Sequence, residues 1–480
     1  MIQIRCPLYE ASIISKHEPS IVSDERTLTY FDFHDMVSQG VVYLRRSGVK
    51  PGDRVGLYLA QDWRYPVLFF ALIRLGAVAC PISTRLPPAA AVDQLHQLKA
   101  RHVIARIDPS RKTVLGDIAV IDPMLASEPV LDSEPLVWDQ KVDLDAPAAI
   151  LFTSGSSGTP KPAVLTYGNF YYSARGANVN MKIASRDRWL LSLPLYHVGG
   201  IGILFRCILA GARIAIPQAG ESIAEARKRM EITHLSLVPA QLLRLLRDDP
   251  TPRFNEIKAV LLGGSACPRG LLKEAMDRKL RIFSSYGMTE MTSQITTMAP
   301  ISPPTKRHTS GLPLKYREVR IAADGEIHVR GRTLFAGYLE GDETKLPLTE
   351  DGWFATGDLG RIDAEGYLDL IGRKDNLFIS GGENIQPEEI EKLLSVMPEI
   401  DEAIVVPVPN EEFGQRPFAF VRFRTQLVEP QELVRRLESV LPKFKIPVRF
   451  EELRGEDGEL KRSRAELRAI AEVLYRETPA

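Results

Sequence analysis

Ala148-Ala149-Ile150-Leu151-Phe152 runs directly into Thr153-Ser154-Gly155-Ser156-Ser157-Gly158-Thr159-Pro160-Lys161. The five apolar residues read as a buried strand, and beyond the loop Val164-Leu165-Thr166 leads to a helix N-cap at Thr166. Glycine lets the backbone approach a ligand closely and aim successive N–H groups at it. The Ser and Thr hydroxyls add donors, and Lys161 adds a positive charge. Such a loop is a phosphate cradle. A plain Gly/Ser linker is the alternative, opposed by the apolar run before the loop and by the closing Pro-Lys. The nucleotide loop that ends in Gly-Lys-Ser/Thr is excluded, because Pro160 stands where its second glycine belongs. The dinucleotide fingerprint fails on glycine spacing.

The rest of the chain narrows the setting. Its 480 residues suffice for about three domains, and 44% apolar with 25% charged residues is an ordinary globular balance. Lys+Arg and Asp+Glu are both 61, so no overall field recruits nucleic acid. Cys6, Cys80, Cys207 and Cys267 lie far apart without a Cys-x-x-Cys pair, which argues against a disulfide framework or a cysteine zinc site and for a cytoplasmic location. The N-terminus has no apolar signal core. The apolar run from Pro66 to Ile82 is broken by Arg74, and it reads as a core helix entering a strand, not a membrane span.

Strand and helix patterns alternate over residues 20–110 and again after the cradle, with a looser connection over 110–147, as in a parallel sheet covered on both faces. Predicted strands at Val55–Leu59, Trp189–Leu193, Thr233–Val238, Ala259–Leu262 and Ile282–Tyr286 each end in a loop, where open parallel sheets place ligands. From about Gly311 the texture changes to hairpins, with turns at Asp324-Gly325 and Glu365-Gly366. A polar junction at Gly372-Arg373-Lys374-Asp375-Asn376 precedes another mixed pattern: a helix from Pro387, strands at Ala403–Val406 and Pro417–Phe423, and a helix near Glu432–Leu441. The expected fold class is α/β. A large N-terminal domain over 1–375 comprises two parallel-sheet subdomains and a small antiparallel part at about 311–375, and a small mobile α+β domain follows at 376–480.

Seven landmarks in order resemble the adenylate-forming superfamily of acyl- and aryl-CoA ligases, luciferases and peptide-synthetase adenylation domains. They are Gly48–Val55, Thr153–Lys161, Leu193–Gly200, Tyr286–Glu290, Thr356-Gly357-Asp358, Gly372–Asp375 and Gly381-Gly382-Glu383-Asn384-Ile385. They span nearly the whole chain. Leu193-Pro-Leu-Tyr-His197-Val-Gly-Gly and Tyr286-Gly-Met-Thr-Glu-Met-Thr-Ser293-Gln294 most resemble the o-succinylbenzoate-activating branch of menaquinone biosynthesis. The resemblance implies ATP, Mg²⁺, CoA and a small-molecule carboxylic acid as ligands, and a two-step AMP-forming ligation with no protein nucleophile. Other acyl- or aryl-CoA ligases, a stand-alone enzyme loading a carrier protein, and a non-catalytic nucleotide-binding relative stand as alternatives. A homo-oligomer is compatible with all of them.

By the same resemblance, Thr153, Ser154, Gly155, Ser156, Ser157, Gly158, Thr159 and Lys161 hold the β- and γ-phosphates. Thr289 touches the α-phosphate, and Glu290 holds the metal, for which one carboxylate with phosphates and waters is a normal shell. Gly263, Gly264 and Tyr286 belong to the adenine site, Asp358 accepts from the ribose hydroxyls, and Arg373 reaches the ribose and phosphates. His197 lies over the acyl carboxylate. Gly199, with Gly200 and Gly202, leaves room for substrate, although helix packing explains these glycines equally well. Ser293 and Gln294 are acyl-pocket groups or ordinary helix-face polar residues. Asp375 is the hinge, and Gly381-Gly382 lines the CoA tunnel. One departure concerns the C-terminal lysine of Gly-Lys-x-x-Arg: aligned on Gly458 its place holds Glu459, whereas the downstream Lys-x-x-Arg pattern places it at Lys461 with Arg464. Lys461 is preferred, since a missing cation would slow adenylation severely.

Overall fold

The computed structural model describes residues 2–106, 118–123, 140–153, 160–265, 267–299, 302–424, 428–453 and 463–477. Spatial proximity divides the chain into two units. The first comprises Met1–Gly264, Arg278–Val319 and Val329–Phe354; the second comprises Ser265–Asp277, Arg320–His328 and Ala355–Ala480.

The first unit holds two large sheets. In one, the strands run Glu343–Lys345, Gly337–Glu340, Lys161–Thr166, Pro147–Thr153, Val78–Pro81, Arg54–Tyr58, His102–Ala105 and Ala119–Ile121. Its interior pairings from Pro147–Thr153 to Ala119–Ile121 are parallel. The apolar run 66–82 forms helix Arg64–Leu75, closed by Gly76 at φ 83°, and then strand Val78–Pro81, as its sequence predicts. Thr29 caps helix Tyr30–Arg46 in a capping box with Asp32.

The residues after the cradle differ from a simple strand-to-helix passage. Lys161–Thr166 is itself a strand, antiparallel to Pro147–Thr153, with Lys161 opposite Thr153. The cradle therefore joins the two arms of a hairpin. Thr166 then caps helix Tyr167–Met181, accepting from Asn169 N at 3.1 Å while Asn169 Oδ1 accepts from Thr166 N at 2.8 Å. The helix thus begins at Tyr167, directly after the expected Thr166 cap, and Asn169 serves as the return half of the capping box.

The other large sheet runs Leu312–Pro313, Ser293–Thr297, Ile282–Met288, Ala259–Leu262, His234–Leu237, Arg188–Leu190, Arg213–Ala215, Pro19–Val22 and Thr27–Thr29. It is parallel from Ile282–Met288 through Pro19–Val22 and antiparallel at both edges. Helices associated with both sheets meet around Phe205. Its ring stacks on Phe170 at 4.9 Å and contacts Phe70 and Tyr167 at 5.3 Å each. These buried rings supply dense apolar packing between the layers.

In the second unit, Phe354–Ile362 pairs antiparallel with Leu368–Arg373 across Gly366 at φ 88°. The predicted Asp324-Gly325 turn closes with Ala322 N donating to Glu326 O at 2.8 Å and Gly325 at φ 85°. Farther along, Ile400–Asn410 and Gly414–Phe423 form an antiparallel pair, joined in parallel by Phe450–Glu452. Helices Pro387–Leu394 and Pro430–Glu438 cover this small sheet through Ile390, Leu394, Leu433 and Leu437. The mixed α/β architecture thus agrees with the expected fold class. Among the described residues, no helix is long and apolar enough to cross a membrane.

Candidate nucleotide and acid site

Ser154, Gly155, Ser156, Ser157, Gly158 and Thr159 lie outside the described residues, but the ends of their loop are defined. Thr153 Oγ1 donates to Lys161 O at 3.3 Å, and Lys161 Nζ sits 5.4 Å from the centre of the Tyr338 ring. Tyr338 comes from strand Gly337–Glu340, which pairs directly with the Lys161 strand. The cationic end of the cradle is thereby placed over an aromatic face.

Strand Ile282–Met288 carries Tyr286, which is buried, and then reverses through a tight 3₁₀ turn at Thr289–Met291. Thr292 and Ser293 take φ values of 53° and 89°, so the reversal uses two residues in the left-handed region before the chain returns as Ser293–Thr297. This explains why Ser293 and Gln294 stand on a strand rather than on a helix face. Their reading as helix-face polar residues is thereby corrected: antiparallel pairing with the Tyr286 strand puts them on a strand. Glu290, at the apex, is 6% exposed. Its Oε1 accepts from the Tyr338 hydroxyl at 2.6 Å, and its main-chain O accepts from Phe335 N at 2.8 Å.

No lysine or arginine pairs with Glu290 among the described residues. A buried carboxylate held by a hydroxyl and not neutralised by a side-chain cation suits a hard metal ion brought in with phosphates. The described residues contain no group of three or more acidic, His or Cys side chains placed to hold a metal ion, so among them no closed metal cage is built. Gly263 and Gly264 follow the adjacent strand Ala259–Leu262. A Cβ at Gly263 would stand 2.7 Å from Ser285 Oγ, beside Tyr286, and Gly264 has φ 85°. Glycine is therefore required there to bring two strand ends together.

His197 is the N-cap residue of helix Val198–Ala210, its ring edge-on to Tyr196 at 4.7 Å. Burial, reinforced by Arg85, lowers its pKa and favours the neutral imidazole. Of the nearby glycines, Gly200 has a packing role, because a Cβ would come 2.2 Å from Pro194 O. Gly199 approaches Leu193, where a Cβ would lie 3.0 Å from Cδ1. Gly202 faces Arg206, one turn later on the same helix; a Cβ there would meet the guanidinium at 3.1 Å.

Arg206 is a residue that the motif reading passed over. It is 1% exposed, and its Nη2 donates to Ser293 Oγ at 3.3 Å while Nε and Nη1 have no hydrogen-bond partner among the described residues. Burial lowers its pKa to about 10, which still leaves it charged at neutral pH. Arg317 lies close by through the same strand: its Nε donates to Gln294 O at 2.5 Å and its Nη2 to Ser173 Oγ at 3.0 Å. Burial, with Arg206 second, lowers the Arg317 pKa to about 9. Gln294 Nε2 donates to Thr297 Oγ1 at 2.7 Å and leaves Oε1 unpartnered. The signal for Arg206 was available in the sequence: one arginine, four residues after Gly202, interrupts an otherwise apolar helix.

In the second unit, Asp358 and Arg373 are direct cross-strand partners, with Arg373 Nη1 donating to Asp358 Oδ1 at 3.1 Å. Arg373 Nη2 also reaches Asp375 Oδ2 at 3.4 Å, and Lys374 Nζ donates to Asp324 Oδ2 at 2.6 Å and Glu326 Oε2 at 2.8 Å. Gly381 and Gly382, at φ 59° and 86°, turn between Phe378–Ser380 and Glu383–Ile385; Gly381 N donates to Phe413 O at 2.9 Å. Glu459 and Lys461 lie outside the described residues. Arg464, which follows them, starts helix Arg464–Glu477 and binds Glu391 Oε1 at 2.6 Å and Val405 O at 2.5 Å.

Residues 14–339 match the AMP-binding enzyme family and residues 389–463 match the AMP-binding enzyme C-terminal domain. The 2-succinylbenzoate–CoA ligase of Geobacillus kaustophilus is 32% identical over 458 residues, covering 92% of each chain. That of Bacillus velezensis is 32% identical over 462 residues, covering 93% of this chain and 94% of the relative. The Bacillus subtilis o-succinylbenzoate CoA synthetase in complex with its acyl-adenylate intermediate superposes with TM-score 0.87 at 29% identity, covering 98% of both chains. The same enzyme in complex with ATP and magnesium ion gives 0.86 at 29% identity, covering 98% of this chain and all of the other at 100%. Matched by the principal domain model over most of its length, the chain belongs to the AMP-binding enzyme family.

Proposed function

We propose that this chain joins o-succinylbenzoate to CoA at the expense of ATP, releasing AMP and pyrophosphate, as a step of menaquinone biosynthesis. The observation that carries the substrate assignment is Arg206, a buried guanidinium with two unpartnered donors beside Ser293. A diacid spends one carboxylate in the reaction and needs a cation for the other, and Arg206 is suited to that second carboxylate. The names of the relatives and the complexes of the Bacillus subtilis enzyme support the same reading.

In the first step a carboxylate oxygen attacks the α-phosphorus and the bond to pyrophosphate breaks. In the second, the CoA thiolate attacks the acyl carbon and AMP leaves. The protein's work is positioning and charge stabilisation. Residues 153–159 and Lys161 hold the leaving phosphates, Thr289 touches the α-phosphate, and Glu290 would hold Mg²⁺, which would supply charge shielding for the phosphates. Gly263, Gly264 and Tyr286 receive adenine. Asp358 and Arg373 serve the ribose and phosphate region. Neutral His197 orients the reacting carboxylate, Gly199, Ser293 and Gln294 line the acid pocket, and Lys461 supplies the second cation for adenylation. Asp375 is the hinge between 1–375 and 376–480, whose rotation replaces Lys461 by the Gly381-Gly382 turn for thiolation.

The test is incubation with ATP, Mg²⁺, CoA and a panel of acids, read by pyrophosphate exchange and by mass detection of acyl-CoA. The expected product is o-succinylbenzoyl-CoA, and Lys461→Ala is expected to lose exchange while still thiolating supplied acyl-adenylate. Acyl-CoA formed only from other acids would overturn the substrate, and no exchange with any acid would overturn the ligase.

A further inference from the structure

We infer that Tyr338 is a positioning residue that sets the metal affinity of Glu290 and steadies Lys161, an inference that rests on the ligase reading above. Two groups given separate tasks, the metal-holding acid and the phosphate-holding base, touch one side chain. The Tyr338 hydroxyl donates to Glu290 Oε1 at 2.6 Å, and Lys161 Nζ lies 5.4 Å from the centre of its ring. The residues arrive from three places in the chain: the apex of the Thr289–Met291 turn, the start of the hairpin arm Lys161–Thr166, and the neighbouring strand Gly337–Glu340.

The backbone makes this meeting specific. Ala163 pairs with Tyr338 and Val164 with Gly337, which places Tyr338 near the Lys161 end of the hairpin. Gly337 has φ 139°, and a Cβ there would come 2.4 Å from Lys345 O, so only glycine admits the strand in this position. Phe335 packs edge-on against Tyr338 at 4.8 Å and donates its N–H to Glu290 O at 2.8 Å. One short segment therefore holds both the main chain and the side chain of Glu290.

The hydroxyl and the ring have separable effects. Donation from the hydroxyl satisfies one carboxylate oxygen and fixes its orientation in a buried place. Removing such an outer partner from a metal-binding carboxylate weakens metal binding roughly 10–100-fold. The ring faces the lysine, so removing the whole side chain frees the phosphate-side cation in addition to releasing the acid, whereas removing the hydroxyl alone affects only the acid.

The experiment titrates Mn²⁺, as a spectroscopic substitute, into protein carrying a non-hydrolysable ATP analogue, and follows bound metal by electron paramagnetic resonance. Tyr338→Phe is expected to weaken Mn²⁺ binding roughly 10–100-fold, with a slightly lowered thermal midpoint and unchanged metal-free affinity for the analogue. Tyr338→Leu is expected to lose metal-free affinity as well. Equal Mn²⁺ affinity in wild type and Tyr338→Phe would overturn the inference. So would an equal loss of metal-dependent and metal-free binding in Tyr338→Phe, since that pattern marks general damage. Failure of the wild type itself to form the Mn²⁺–nucleotide complex would overturn the ligase reading from which the inference starts.

Discussion

Arg206 is a fully buried guanidinium on helix Val198–Ala210. Burying a guanidinium costs free energy unless its donors are met, and Nε and Nη1 are met by none of the described residues. On the proposed function that cost is recovered when the second carboxylate of a diacid arrives, and Arg206 would then discriminate between diacids and monoacids. Arg206→Met should raise KM for o-succinylbenzoate roughly 10–100-fold, the range for a lost hydrogen bond to a charged partner. 3-Benzoylpropionate, which lacks the ring carboxylate, should be handled equally well by both forms. Steady-state kinetics with the two acids checks this, and a parallel loss for both would assign Arg206 to helix packing instead. Lys161 illustrates the converse: its charge was evident from the motif, but its aromatic neighbour Tyr338 lies 177 positions away in the chain and carries no motif of its own.

At the scale of elements, the junction between strand Leu368–Arg373 and strand Phe378–Ser380 is the decisive connection. A single 3₁₀ turn, Lys374–Asn376, links them, and Lys374 is anchored to both Asp324 and Glu326. With Lys374 held, a rotation proposed at Asp375 has a fixed point to turn against. Proline at 375 would restrict that torsion and the residue before it. Asp375→Pro should therefore slow thiolation of supplied acyl-adenylate at least tenfold more than it slows pyrophosphate exchange, an estimate of roughly 1.4 kcal/mol in barrier. Separate half-reaction assays decide; unchanged rates in both would remove Asp375 from the hinge role.

At the scale of the whole molecule, half-buried His34 and fully buried His234 tie folding to pH. Burial lowers the pKa of His34 to about 4, with Arg74 adding to the effect, and lowers that of His234 to about 4, with Lys258 opposing Asp187. The unfolded chain binds protons at these residues below pH about 6.5, whereas the folded chain resists until about 4, so stability is present above that window and falls as pH drops through it. Thermal midpoints should decline between pH 7 and pH 5, and His34→Gln should flatten part of the decline. A midpoint independent of pH there would contradict the sign. The amino-acid sequence by itself determined the alternation of strands and helices, the hairpins at Gly325 and Gly366, the Thr166 cap and the order of the family motifs. Those features depend on near neighbours: periodicity, turn geometry and capping. Tertiary structure decided that the Thr153–Lys161 loop spans a hairpin, that Ser293 and Gln294 lie on a returning strand, and that Tyr338 meets Glu290 while Arg206 meets Ser293. Each of those outcomes depends on pairing between segments distant in sequence, where local preference is silent and burial with hydrogen-bond satisfaction selects the partner.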